Sequence, residues 1–306
     1  MSGNTHSTGW GIACMSAGML IVPVMDAIAK HLGQQISPMQ ITWGRFLFQF
    51  LIMGIAIVLI LNPSALLPKH PLIHTVRGLL LAIATTFFFF SLRYLPLADA
   101  IAIFFIQPIL LTLLSALFLG EHIGWHRRVA VVTGFAGALL IIQPGAEAFT
   151  PAALLPLSAA VFYATYIVLT RSVANVDHPL TMQFASSVGA TLILSLALLF
   201  AGAINQEDFA PSLPNLNQWM WLFAIGAVAA VGHLLVVVAL NRASASLLAP
   251  FGYMEIVSAT ALGWFIFNEW PTLMSWAGIT VIIASGLYVF VRERAVSSPS
   301  TIAQQP

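Results

Sequence analysis

A carboxylate, Glu255, lies inside the apolar run LLAPFGYMEIVSATALGWFIFNE, residues 247–269. A charged side chain at the centre of a bilayer costs at least about 2.5 kcal/mol, so an acid held there marks a place where a cation or a proton is handled. Glu255 can pair with an amino group, carry a proton, or tie helices together through a hydrogen bond to Gln107, the amide inside the run at 98–121. Pro108 follows Gln107 and frees the carbonyl of Phe104, which shares a helix face with Gln107. Pro23 does the same for Met19. Arg45 lies about 10 Å below one end of its run at 1.5 Å per residue. It can bind a substrate carboxylate or neutralise Asp26. Asp26 also precedes Lys30 by four residues, the spacing of an interfacial ion pair, and that pairing is the expected one. Trp43, Tyr163 and Tyr166 offer aromatic faces, with Tyr163 near mid-depth and able to stack on a ring. His233 lies deep in an apolar run, as a satisfied structural histidine or a proton relay. The substrate-facing set drawn from these is Glu255, Gln107, Arg45, Tyr163, Phe104 and Trp43, with Glu255 and His233 as candidates for proton coupling.

These groups need a membrane around them, and the composition supplies one. Of 306 residues, 59% are hydrophobic and 7% charged, whereas a soluble domain carries about 25% charged residues. A net charge of +1 leaves no basic field for nucleic acid. A single cysteine, Cys14, forms neither a disulfide framework nor a thiolate metal site. His122 and His126 are four apart but lack the HExxH order, so no metal is expected, and no cofactor or catalytic motif is present. The four phenylalanines Phe87 to Phe90 cover every side of one turn and suit packing or lipid.

Apolar runs of spanning length occur at 9–29, 39–61, 72–92, 97–119, 128–143, 151–171, 180–202, 218–240, 245–267 and 272–291. Ten spans put both termini on one side. With cytoplasmic termini, Lys69, Arg77, Arg127, Arg128, Arg171, Arg242, Arg292 and Arg294 lie inside against Lys30, Arg45 and Arg93 outside, as the positive-inside rule requires. Glu207 and Asp208 then fall in an outer loop.

The chain is also doubled. Setting Glu121 on Glu269, 148 residues on, lays ADAIAIFFIQPILLTLLSALFLGE over SLLAPFGYMEIVSATALGWFIFNE and Gln107 over Glu255. A shift of 141 lays SPMQITW over HPLTMQF and Lys30 over Arg171. Five spans per repeat is an odd number, so equivalent spans cross in opposite directions, an arrangement that places a transport site near the midplane between repeats. The expected architecture is all-α and integral to the membrane: ten helices as two inverted five-helix repeats, 1–146 and 147–292, with a disordered cytoplasmic tail at 293–306.

SPMQITWGRF, RYLPLADAIAIFFIQPILLTLLSALFLGE and GFAGALLIIQPG resemble the first EamA repeat of the drug/metabolite transporter superfamily, and NEWPTLMSWAGITVIIASGLYVF resembles the end of the second. The resemblance implies a bacterial inner-membrane carrier of a small molecule, working in the lipid bilayer by alternating access. Family members export amino acids, aromatic ones included, or take up riboflavin or S-adenosylmethionine. An apolar interior with one acid and one arginine favours a zwitterion with an apolar side chain, so export of aromatic or large neutral amino acids is the leading expectation and cofactor import the second. A membrane-embedded enzyme would need clustered acids and histidines at one interface, a cluster that the sequence lacks.

Overall fold

The computed structural model describes residues 3–119, 125–143, 150–173, 176–204, 209, 211–240, 242, 248 and 251–297. Glu121, His122, Glu207 and Asp208, and residues 298–306 of the expected tail, lie outside the described residues. Helices α1 (Gly3–Leu32), α2 (Pro38–Ile60), α3 (Pro71–Ser91), α4 (Leu97–Phe104), α5 (Gln107–Leu119), α6 (Trp125–Ile142), α7 (Leu154–Ser172), α8 (Pro179–Ala203), α9 (Leu216–Leu240), α10 (Met254–Phe267) and α11 (Leu273–Ser297) make up the described structure, with two short 3₁₀ turns and no strand among these residues. α11 runs on to Ser297, past residue 292, where the sequence ends the second repeat.

Six of these helices are long and apolar enough to cross a membrane, and four shorter apolar helices accompany them. Leu, Ile, Ala and Phe dominate all of them, and in lipid a helix satisfies every backbone group within itself. α2, α3 and α8 each begin on a proline, whose missing N–H costs nothing at the first helical position. Ser37 caps α2 by accepting from the Met39 N–H. His178 caps α8 by accepting from the Leu180 N–H. These two caps occupy matching positions of the repeat, 141 residues apart.

Two of the expected continuous spans are interrupted. The fourth breaks at Phe105 and Ile106, between α4 and α5, where tight turns such as Ile106 N–H to Ile103 O (3.1 Å) replace regular α-helical bonding. Pro108 removes the donor that would otherwise carry the helix across. The ninth breaks at Tyr253, just before α10. Phe105 and Tyr253 are repeat mates, 148 residues apart, and their rings touch at 5.5 Å between centroids.

The halves pack on each other reciprocally. α1 lies on α9 as α7 lies on α3, α2 on α9 as α8 on α3, and α1 on α10 as α7 on α5, while α6 packs on α11 and α4 on α10. Individual glycines repeat this at atomic scale. A Cβ at Gly226 would meet Phe48 Cβ, with Gln49 N at 3.1 Å and Arg45 O at 3.2 Å. At its mate Gly78 a Cβ would meet Ser186 O, with Ala190 N at 2.9 Å, and Ser186 and Ala190 stand 141 residues after Arg45 and Gln49. Gly137 and Gly278 meet in the same manner where α6 crosses α11: a Cβ at Gly278 would lie 2.5 Å from Gly137 O, and one at Gly137 would lie 3.0 Å from Gly278 O.

Candidate functional site

α10 begins with Met254 and Glu255 directly after the break, and α5 begins with Gln107 directly after its own. Each break thus sets a half-buried polar residue in the first turn of the helix that follows it. Glu255 is half-buried and makes no hydrogen bond or ion pair among the described residues. No Glu255–Gln107 hydrogen bond forms, which removes the simple helix tie from consideration. A Cβ at Gly252, on the approach to the break, would meet nothing within 4 Å among the described residues. Ser258 does not share this space, because its hydroxyl donates to Leu20 O of α1 at 2.8 Å.

Glu255 stands within electrostatic reach of Asp26 on α1 and of Tyr163 on α7. Arg45 on α2 lies within reach of Asp26, Tyr163, Tyr166 and, on α9, His233. Groups from α1, α2, α7, α9 and α10 are therefore linked in one chain of electrostatic neighbours. Arg45 is 2% exposed; its guanidinium donates to Thr85 Oγ1 at 2.8 Å and lies 4.5 Å from the Phe46 ring centroid, while its Nε has no hydrogen-bond partner among the described residues. A buried arginine with an unused donor can accept a carboxylate or carbonyl from a ligand. Phe104, Tyr163 and Tyr166 form a row of rings, 5.3 and 5.7 Å between successive centroids.

Trp43 stands apart from this group. Two residues before Arg45 it points to another side of α2, where its indole donates to Ser195 Oγ at 2.8 Å and packs edge-on against Trp219. His233 Nδ1 binds Ala229 O at 2.7 Å within its own helix, the satisfied arrangement that the sequence offered as one alternative. Phe88 packs on Phe104 and Phe87 stacks on Phe162, so the phenylalanine run is packing for the aromatic row.

Asp26 departs from its expected pairing. Lys30 instead binds Glu269 Oε1 and Leu95 O, both at 2.6 Å, and Glu269 Oε2 accepts the Leu97 N–H at 3.1 Å. Asn268, left-handed at φ 54 and ψ 31, ends α10 and turns the chain so that Glu269 reaches back to this lock. The spacing of Asp26 and Lys30 suggested a pair because four residues bring side chains to one face, but a long Lys side chain at a helix end has other reach. At the opposite end of the bundle, the 3.0 Å contact of His74 Nε2 with Asp177 joins α3 to the loop before α8, and Arg77 reaches His74 Nδ1 at 2.8 Å and Tyr166 Oη at 3.2 Å.

A bundle of apolar helices with a charged, ring-lined interior at paired helix breaks is the form of a membrane transporter. The chain belongs to the EamA-like transporter family, whose sequence model matches it twice, over residues 9–143 and 150–291. It is 27% identical to the S-adenosylmethionine uptake transporter of Rickettsia bellii (strain RML369-C), over 96% of this chain and 97% of that one. It is 31% identical to the riboflavin transporter of Vibrio cholerae serotype O1, over 71% of this chain and 70% of the relative. Identity to the pseudopaline exporter CntI of Pseudomonas aeruginosa is also 31%, over 69% and 72%. A solved crystal structure of a protein, 22% identical, covers 96% of this chain and 100% of its own with a TM-score of 0.65, a likeness of fold.

Proposed function

We propose that this chain is a secondary uptake transporter for a cofactor-type metabolite that carries a heteroaromatic ring, of the S-adenosylmethionine or riboflavin class. The observation that carries this reading is the aromatic row Phe104–Tyr163–Tyr166 with Arg45 and Glu255 placed around the same interior. Rings stack on the row, the guanidinium takes a carboxylate or carbonyl, and Glu255 takes an amino group or a proton. The relatives support compounds of this class in preference to aromatic or large neutral amino acids, and the S-adenosylmethionine relative supports uptake. In this reading the six long and four shorter apolar helices are ten spans in two inverted repeats, 1–146 and 147–292. The reciprocal packing of the halves supports that arrangement, and the basic residues support an inner-membrane protein with both termini in the cytoplasm. Transport proceeds by the two repeats rocking about the site, with Lys30–Glu269 closing one end.

Thermal shift of the purified protein against S-adenosylmethionine, riboflavin and tryptophan tests the substrate class. A stabilisation by either cofactor that tryptophan does not reproduce is expected. Stabilisation by tryptophan alone would return the protein to amino-acid export.

A further inference from the structure

We propose that Asp26 is a substrate-binding residue, which with Glu255 selects a substrate bearing a permanent or ammonium cation over an uncharged one of similar shape. This rests on the cofactor-uptake reading and narrows it to the S-adenosylmethionine class, in which a cationic centre, an amino group and a carboxylate accompany a heteroaromatic ring.

Asp26 is 3% exposed, and it makes no hydrogen bond and no ion pair among the described residues. A buried, unpaired carboxylate is costly, and structures keep one only where a ligand or proton completes it. Lys30, one turn away on the same helix, is committed to Glu269 and Leu95 O, and Arg45 donates to Thr85 and acts on Asp26 only through space, without a hydrogen bond or ion pair.

Its neighbours define what that space asks for. α1 packs on α10, which puts Asp26 and Glu255 within electrostatic reach of each other, and Arg45 lies within reach of Asp26. With both acids ionised, two negative charges face one positive charge, a formal balance of −1. Tyr163 lies within reach of Glu255 and Arg45 alike, so a ring stacked there holds its charged substituents between the carboxylates and the guanidinium. Two acids and one base match a substrate of two cationic centres and one carboxylate. An uncharged flavin would leave the net charge of −1 uncompensated.

The test compares uptake of S-adenosylmethionine with that of S-adenosylhomocysteine, which has the same ring and amino-acid portion but a neutral thioether, in proteoliposomes of the full-length protein. The wild type should show a KM at least tenfold lower for the sulfonium, a preference that Asp26→Asn should reduce to less than threefold, with Asp26→Glu restoring part of it. A residue that only supports the fold would raise both KM values together. Retention of the full preference in Asp26→Asn overturns the proposal. So does a wild type that takes up both adenosyl compounds equally, or takes up only riboflavin, and these two results need no variant to fold. Uptake of neither adenosyl compound nor riboflavin would overturn the cofactor reading itself.

Discussion

Gly78 and Gly226 are the points where the two halves clasp each other, and replacing either with alanine tests the reciprocal packing directly. At Gly78 the added carbon meets the backbone of α8, at Ser186 O and, 2.9 Å away, at Ala190 N. Ordinary van der Waals contact begins near 3.4 Å, so α3 and α8 must part by about half an ångström or more, and backbone cannot rotate away as a side-chain tip can. Overpacking of this kind costs roughly 1–3 kcal/mol. At Gly226 the carbon meets Phe48 Cβ, with Gln49 N at 3.1 Å and Arg45 O at 3.2 Å, the matching clash in the other half. Both variants should lower the melting temperature by roughly 3–8 °C in the same detergent, as read by the fluorescence of the eight tryptophans. Gly226→Ala presses on the backbone of Arg45 and should also raise the KM for substrate. Gly252→Ala, where an added carbon meets nothing within 4 Å among the described residues, is the control and should melt within about 2 °C of wild type. If Gly78→Ala and Gly226→Ala melt like that control, the helices do not approach as described.

Arg45→Ala should abolish uptake with little change in melting temperature, and Arg45→Lys should not rescue it, because an ammonium cannot reach Thr85 and present a second donor in the guanidinium geometry; normal transport by either variant would remove Arg45 from the site. Glu269→Ala leaves the Lys30 ammonium with only Leu95 O and the face of Phe267, at a cost of roughly 1–3 kcal/mol given the partial exposure of the pair. It should raise labelling of a single cysteine at Gly252 by a membrane-impermeant maleimide added from the Lys30 side, and unchanged labelling would show that this lock is not a gate. Burial works to raise the Asp177 carboxyl, but hydrogen bonds from His74 and the Lys69 N–H outweigh it and hold the group below its ordinary range. A depressed carboxyl contributes stability that is full above about pH 4 and is lost as pH falls through its folded value. Asp177→Asn should therefore destabilise the protein at pH 7 and shrink its loss of stability on acidification, in melting temperatures measured between pH 7 and 3.

Much of the fold was legible because lipid imposes a simple rule: long apolar runs become helices. The helix breaks were not. Pro108 gave warning of the first, whereas at the second Pro250 and Gly252 stand before Tyr253 and its repeat relation to Phe105 fixes the position. Within the site, Glu255, Gln107, Phe104 and Tyr163 stood out as polar or aromatic groups at mid-depth, and Arg45 by its charge. Asp26 was hidden by a local rule, the four-residue spacing to Lys30, which a tertiary contact to Glu269 overrode. Trp43 reads as part of the site from the sequence because proximity to Arg45 hides the direction in which a helix turns a side chain. Tyr166 was legible as a partner of Tyr163 on one face, but not as the acceptor of Arg77, a residue 89 positions away.

Counterflow measures the central claim most directly: proteoliposomes containing the purified protein, loaded with unlabelled S-adenosylmethionine, are diluted into a trace of the labelled compound. The account predicts transient accumulation of label above equilibrium, absent with Arg45→Ala and competed by excess unlabelled cofactor but not by tryptophan. No accumulation with S-adenosylmethionine or with riboflavin, alongside robust counterflow of tryptophan, would contradict it.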